Sequence, residues 1–284
     1  MKRIIAIMLA ALTLCALLAS CSNKGDSSDV GNGNSQNGAA DTTSENGNSQ
    51  NAASDVQYIK DKGTLIIGIT EYEPMNYQDE NKEWTGFDTE FAQAVAKKLG
   101  VEAQFIVIDW DNKFAELKSK SIDCIWNGMT ITDEVKLNAD VSKPYVKNAQ
   151  VVVMDAGKAD DYTDIESMKD LSFAAEAGSA GEKALADLNY NCTSVGTQAD
   201  ALLEVSSGSA DACVIDITMA NAMTGEGTSY ASLVSVVELQ SEEYGIAFRK
   251  GTDTAEAVNS IMDELMNDGT LDSLAEKYSL TLVK

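Results

Sequence analysis

The sequence predicts an α/β fold made of two parallel-sheet units, and three observations predict it. From about residue 55, short β-branched apolar runs alternate with segments whose apolar residues recur at helical spacing. The alternation runs through twice, as two rounds of βαβ would require. Only two of the 284 residues are proline and 44% are hydrophobic, which suits an ordered body long enough to bury a core.

The elements follow in order. Leu65 to Ile69 reads as a strand. Phe87 to Leu99 reads as a helix, with Phe91, Val95 and Leu99 at i, i+4 and i+8 and Gly100 as its stop. Phe105 to Ile108 is a strand, and Asn112 to Lys120 a helix with Phe114 and Leu117 on its apolar face. Ile122 to Trp126 is a strand; Thr132 then caps a helix that carries Asp133 and Glu134 in its first turn. Gln150 to Met154 closes the first round. The second has strands at Ser172 to Ala175, Thr193 to Val195, Ala212 to Ile215 and Tyr244 to Phe248. Helices fall at Gly181 to Leu188, Gln198 to Ser206, Asp253 to Asn267 and Leu271 to Tyr278.

Residues 1–20 are read as a leader and not as fold. Lys2 and Arg3 precede an apolar run from Ile4 to Leu18, too short for a comfortable membrane span but suited to a signal-peptide core. The run ends Leu18-Ala19-Ser20-Cys21, which resembles a bacterial lipobox. That resemblance implies cleavage before Cys21 and a lipid on its sulfur, so the chain is held to a membrane by the anchor alone. Residues 21–54 form the tether. Of the 33 residues after Cys21, 21 are Ser, Asn, Gly or Gln and none is aromatic, so the stretch cannot bury enough surface to offset its ordering entropy.

Charge and composition exclude several activities. There are 45 acidic and 21 basic side chains, a formal charge of −24, and no histidine. The leader takes away two basic residues and no acidic one, which brings the mature chain to −26. So acidic a surface repels phosphate backbones, which argues against nucleic acid as a partner. Without histidine there is no histidine-based triad, general base or zinc site. The cysteines left after processing, Cys124, Cys192 and Cys213, are odd in number and lack CxxC spacing, which argues against a disulfide framework or metal cluster. No phosphate-binding loop and no cofactor motif is found.

In open parallel sheets, ligands bind beyond the carboxyl ends of the strands. Those ends hold Thr70, Glu71 and Tyr72; Asp109 and Trp110; Asn127 to Thr130; Glu176 with Gly178-Ser179-Ala180-Gly181; and Asp216. The set mixes aromatics, carboxylates and hydroxyls, and contains no Arg, Lys or His.

The ordered region resembles family 3 extracellular solute-binding proteins, the receptors of polar amino-acid ABC importers. Gly63-Thr64-Leu65, Tyr72-Glu73-Pro74, Gly86-Phe87-Asp88, Met129-Thr130-Ile131-Thr132, Ser142-Lys143-Pro144-Tyr145, Gly178-Ser179, Ala210-Asp211-Ala212 and Tyr244 to Gly251 carry it, in order, over nearly all of residues 58–280. The resemblance implies a type II periplasmic-binding-protein fold with two lobes joined by two hinge strands. Lobe 1 would be residues 55–147 plus 245–284 and lobe 2 residues 148–244, with a ligand captured between them by hinge closure. It further implies a membrane permease with a cytoplasmic ATPase as partner, a binding role and no enzyme activity, and a cell-surface location, read as Gram-positive from the long tether.

Residue roles follow from the same resemblance. Tyr72 and Trp110 would flank the ligand as rings. Asn127, Gly128 and Thr130 would form a turn offering carbonyls and hydroxyls, with Ser179 beside the second-lobe helix. Asp216 would pair with the ligand's α-ammonium; a helix N-cap before Ile217 is its other reading. The family's Thr-x-x-Arg arginine meets the ligand carboxylate, but here Thr132-Asp133-Glu134 runs into Val135. Lys136 points about 100° away around the helix. Glu176 stands where the family usually has an apolar residue, either facing the cleft or exposed. Two ligand readings follow. An amino acid would place its carboxylate on backbone N–H groups near Gly181 and Thr130. A cationic or neutral polar solute would be held by carboxylates and rings. A dehydratase on the same scaffold, with Glu176 or Asp216 as its acid, is a third.

Overall fold

The computed structural model describes residues 54–284. The expected leader, the Cys21 lipid site and the tether up to residue 53 lie outside the described residues. Ser54, counted with the tether from sequence, is the N-cap of helix α1 (Asp55–Lys62), its Oγ accepting from the Gln57 N–H at 3.1 Å.

Strand β1 (Thr64–Ile69) leads into a small hairpin, β2 (Tyr77–Gln78) and β3 (Trp84–Thr85), and then into α2 (Phe87–Leu99). Helix α2 has the bounds its apolar spacing predicts: Phe91 and Val95 are fully buried, and Gly100 stops it with a left-handed φ of 79°. Next come β4 (Glu102–Val107), α3 (Lys113–Ser119), β5 (Cys124–Thr130), α4 (Asp133–Asn138), β6 (Ala139–Val141) and β7 (Val146–Asp155). The second round is β8 (Phe173–Glu176), α5 (Ala180–Leu188), β9 (Cys192–Val195), α6 (Gln198–Ser207), β10 (Ala212–Asp216) and α7 (Ile217–Met223). Strand β11 (Leu233–Arg249) and helices α8 (Thr254–Asn267) and α9 (Thr270–Lys277) complete the fold.

Both rounds make parallel strand sets, as expected. β1 pairs β4 and β5 in parallel, and β8 pairs β9 and β10 in parallel. The two sets are joined into one nine-stranded sheet, ordered β4-β1-β5-β11-β7-β10-β8-β9 with β6 against β11. The joining strands β7 and β11 run antiparallel to each other and to their outer neighbours. Sequence reading finds only the last residues of β11, because the stretch from Leu233 to Glu243 is half-exposed and the polar run Gln240 to Glu243 separates its apolar residues from Tyr244. Its order comes from the ladder it makes with β7, from Leu233–Asp155 to Tyr244–Val146. Helix α1 goes unpredicted, since it is two turns long with a short apolar face, while α7 begins at Ile217 as the N-cap reading of Asp216 allows.

Packing follows the patterns. α2 covers β5 through Phe91, whose ring meets Trp126 edge-on at 4.8 Å, and Phe87 stacks on Tyr145 at 6.1 Å; such aromatic pairs add about 1 kcal/mol each beyond their buried area. At the end of β11 lies Arg249, the one arginine of the described residues. It is buried, donating to Asp55, to Asp123 at 3.0 Å and to the Ile122 carbonyl at 2.6 Å. Among the described residues no helix is long and apolar enough to cross a membrane.

Candidate ligand-binding site

Because both parallel sets point their carboxyl ends toward β7 and β11, the strand ends converge. A cavity of about 660 Å³ opens there. Of the residues expected at the site, Trp110, Asn127, Gly128, Thr130, Glu176, Ser179 and Asp216 line it. Tyr72 does not.

Asp216 ends β10. It occupies the N-cap position of α7, but its side chain makes no capping bond. Its carboxylate, buried at 4% exposure, accepts instead from the side-chain amides of Asn148, Gln150 (2.6 Å) and Gln198. Gln198 returns the contact by accepting from the Asp216 N–H at 2.8 Å. Burial, with the Glu242 charge next, holds the Asp216 carboxyl well above the ordinary carboxylate range.

Glu176 ends β8 and is 3% exposed, so the structure selects the cleft-facing alternative. Its Oε1 has no hydrogen-bond partner. Burial, helped by the Asp216 charge and opposed by Lys113, pushes its carboxyl up to about 8. An unpartnered buried acceptor beside a cavity is a group a polar ligand would satisfy.

The segment Asn127 to Thr130 is not the turn that was expected. It is the end of strand β5, bent at Gly128, whose φ is +55°. A Cβ on Gly128 would lie 2.6 Å from Tyr72 Cε1, so the close approach as well as the angle requires glycine. The Asn127 side chain is committed to Thr70: it accepts from the Thr70 N–H (3.0 Å) and hydroxyl (2.7 Å) and donates to its carbonyl (2.9 Å). Asn127 therefore ties β1 to β5 and shapes the wall. Thr130 Oγ1 donates to Glu242 at 2.6 Å.

Tyr72 lies behind this bend. It is 2% exposed and its hydroxyl bonds Thr218 and Tyr244 at 2.5 Å each. Trp110 sits in a short 3-10 turn (Trp110–Asn112) at the cavity edge, 7% exposed. Ser179 caps α5 by accepting from the Glu182 N–H at 3.1 Å. Val135 also faces the cavity, 4% exposed, in an apolar cluster with Trp110 and Met129.

Sequence reading misses two cations, Lys113 and the exposed Lys183, which is paired with Asp187. Lys113, the first residue of α3, lines the cavity. It is 6% exposed, with Nζ donating to the carbonyls of Trp110 (3.0 Å) and Gly178 (2.9 Å). Strand-end reasoning passes it over because it lies inside a helix. A signal was present: Lys113 stands four residues before Leu117 and so shares the buried face of that helix. The amides Asn148, Gln150 and Gln198, which hold Asp216, are also missed. They come from two separate segments, Asn148 and Gln150 from β7 and Gln198 from α6, and no local pattern marks them.

Comparisons with known proteins agree with this geometry. The model of the bacterial extracellular solute-binding proteins, family 3, matches residues 65–281. The L-cystine-binding protein TcyJ of Escherichia coli (strain K12) is 33% identical over 225 residues, covering 78% of this chain and 84% of the relative. Among solved structures, an ancestral arginine-binding protein bound to arginine is 35% identical with a TM-score of 0.71, covering 76% of this chain and 98% of that one. The ancestral amino acid-binding protein AncCDT-1, a precursor of cyclohexadienyl dehydratase, is 33% identical with a TM-score of 0.73, covering 79% and 99%.

Proposed function

The chain belongs to the family 3 bacterial extracellular solute-binding proteins, and from that premise we propose that it captures an amino acid in the cavity described above and hands it to the permease of an ABC importer. The observation that carries the reading is the buried Asp216 carboxylate. It lines the cavity while three side-chain amides fix it in place, as a partner for an α-ammonium should be. Glu176 supplies a second acceptor within the same walls. The relatives named above bind cystine and arginine, both amino acids with an α-ammonium.

In mechanism, lobe 1 (55–147 plus 245–284) and lobe 2 (148–244) close on the ligand, and the carboxyl-end loops supply the contacts. Lys113 with Gly178, and Tyr72 with Thr218, would be the bonds that clasp the lobes. Closure removes water, which strengthens each charged contact. Trp110 closes the cavity edge as an apolar wall, and Tyr72 supports it from behind Gly128. Cys21 would carry the lipid that keeps the chain at the membrane face, and its change to Ala would abolish palmitate incorporation.

Isothermal calorimetry with the twenty amino acids, spermidine and glycine betaine tests the proposal. Sub-micromolar binding of one or more amino acids is expected. Binding of spermidine or betaine alone would replace it with capture of a cationic or net-neutral polar solute. Incubation with prephenate and arogenate separates binding from catalysis: both should be recovered unchanged, and turnover would make the chain a dehydratase.

A further inference from the structure

Resting on the amino-acid reading, we infer that Lys113 receives the ligand's α-carboxylate, doing from helix α3 the work that an arginine at position 135 would do from helix α4. The arginine is replaced here by Val135, which is buried against the rings that Lys113 spans. The Lys113 ammonium lies 5.0 Å from the centre of the Trp110 ring and 5.1 Å from that of Phe114; Trp110 and Phe114 pack in the same apolar cluster as Val135. A cation has therefore moved to the neighbouring helix of one wall, and the space an arginine would take is filled with valine.

The nitrogen is prepared for an anion. It has three N–H donors and uses two, on the Trp110 and Gly178 carbonyls. Among the described residues no carboxylate comes within 4 Å of it, although Asp111, Glu134, Glu176 and Glu182 are near enough to favour its charge. Burial works against that charge, and an incoming carboxylate would offset the cost. The acceptor Gly178 stands directly before α5, whose N-terminus also lines the cavity at Ser179 and Ala180. Two sources of positive potential, the ammonium and the first turn of α5, thus face one volume. Within that turn Glu182 accepts from the Gly178 N–H at 2.8 Å, and Lys183, the other lysine of the lining, is exposed and paired with Asp187 at 2.7 Å, which leaves Lys113 as the buried cation without a carboxylate partner. Asp216 and Glu176 line the same cavity, so an α-amino acid finds opposite charges for both of its ends.

The test compares L-arginine with L-argininamide and agmatine, and L-cystine with cystamine, by calorimetry on the purified chain. The wild type should bind the acid far more tightly than its amide or amine. Lys113→Leu should weaken the acid about 100-fold more than it weakens the amide and amine, so that discrimination is lost. Lys113→Gln keeps a donor for the Gly178 carbonyl and should behave like the leucine variant. Adding Val135→Arg to Lys113→Leu should restore preference for the acid. Equal weakening of acid and amide would make Lys113 a lobe clasp only and overturn the inference, as would unchanged affinity. Failure of the wild type to bind any amino acid would sink the parent reading and this one together. A wild type that binds the acid while Lys113→Leu still discriminates would sink this one alone.

Discussion

The carboxyls of Asp216 and Glu242 accept hydrogen bonds from the same two side-chain amides, Asn148 and Gln150. Asp216 ends a strand of the second parallel set, and Glu242 lies on the long strand that joins the two sets. A buried carboxyl and a half-buried one are held side by side, and burial followed by the Glu242 charge raises the Asp216 carboxyl far above its ordinary range. A ligand ammonium takes the role that the proton plays in the empty site. Binding near neutral pH should therefore release a proton. Affinity for a zwitterionic amino acid should fall by up to about tenfold per pH unit as the solution is acidified below that raised value. Calorimetry at pH 7 in phosphate and in Tris reads the proton directly, because their ionisation enthalpies differ. Equal heats in both buffers, with flat affinity from pH 5.5 to 8, would remove Asp216 from the ammonium contact.

The same burial sets how the ligand-free protein responds to pH. Asp88 is pushed up to about 7 and Glu176 to about 8, each chiefly by burial, against ordinary values of 3.8 and 4.5. Their folded-state values lie above their unfolded ones. Between roughly pH 4 and 8 the folded chain therefore holds more protons than the unfolded chain, and stability falls as pH rises through that window. The carboxyls shifted the other way, such as Asp211 and Asp253, start from an already low value and act below it. Without ligand, the thermal midpoint should be higher at pH 5 than at pH 8. Asp88→Asn should flatten part of the slope. A midpoint that climbs from pH 5 to 8 would contradict the assignment.

Much of the fold was legible because its signals are local. The Phe91–Val95–Leu99 spacing and the Gly100 stop define α2, and the strand-end rule brings together Trp110, Asn127, Glu176 and Asp216. What escaped depends on partners far along the chain. The first half of β11 pairs with β7, a partner some eighty residues earlier in the chain, and Gln198 reaches Asp216 across a helix and a strand. The family resemblance implies Tyr72 against the ligand, but the bend at Gly128 leaves room for its ring behind the wall. Lys113 was hidden by its helix, since charged residues on helices usually face water.

Gly128 should be intolerant of any side chain. Its φ of +55° costs an alanine backbone strain, and the added Cβ would press on the Tyr72 ring from 2.6 Å and the Tyr244 ring from 3.2 Å. Those two tyrosines and Thr218 share a buried hydroxyl cluster, so the rings cannot move independently. Gly128→Ala should cost about 1–3 kcal/mol in urea unfolding and weaken ligand binding through the displaced wall. An unchanged midpoint would mean that the bend relaxes without strain.

Arg249 should matter for the fold and not for the ligand. It joins β11 to Asp55 on α1 and to Asp123 just before β5, and Asp123 also accepts from the Ile66 N–H at 2.8 Å and Lys62 at 2.5 Å. Both carboxylates are nearly fully buried, so removing the guanidinium leaves charges without water or a full partner set. Arg249→Met should cost about 3–5 kcal/mol. Asp55→Asn in the same chain should return part of that loss, because one stranded charge disappears with it. Folded Arg249→Met protein should bind the wild-type ligand with unchanged affinity, since the cavity residues do not include Arg249. Loss of affinity with no loss of stability would reverse this division, and calorimetry beside urea titration of the same preparation distinguishes the two outcomes.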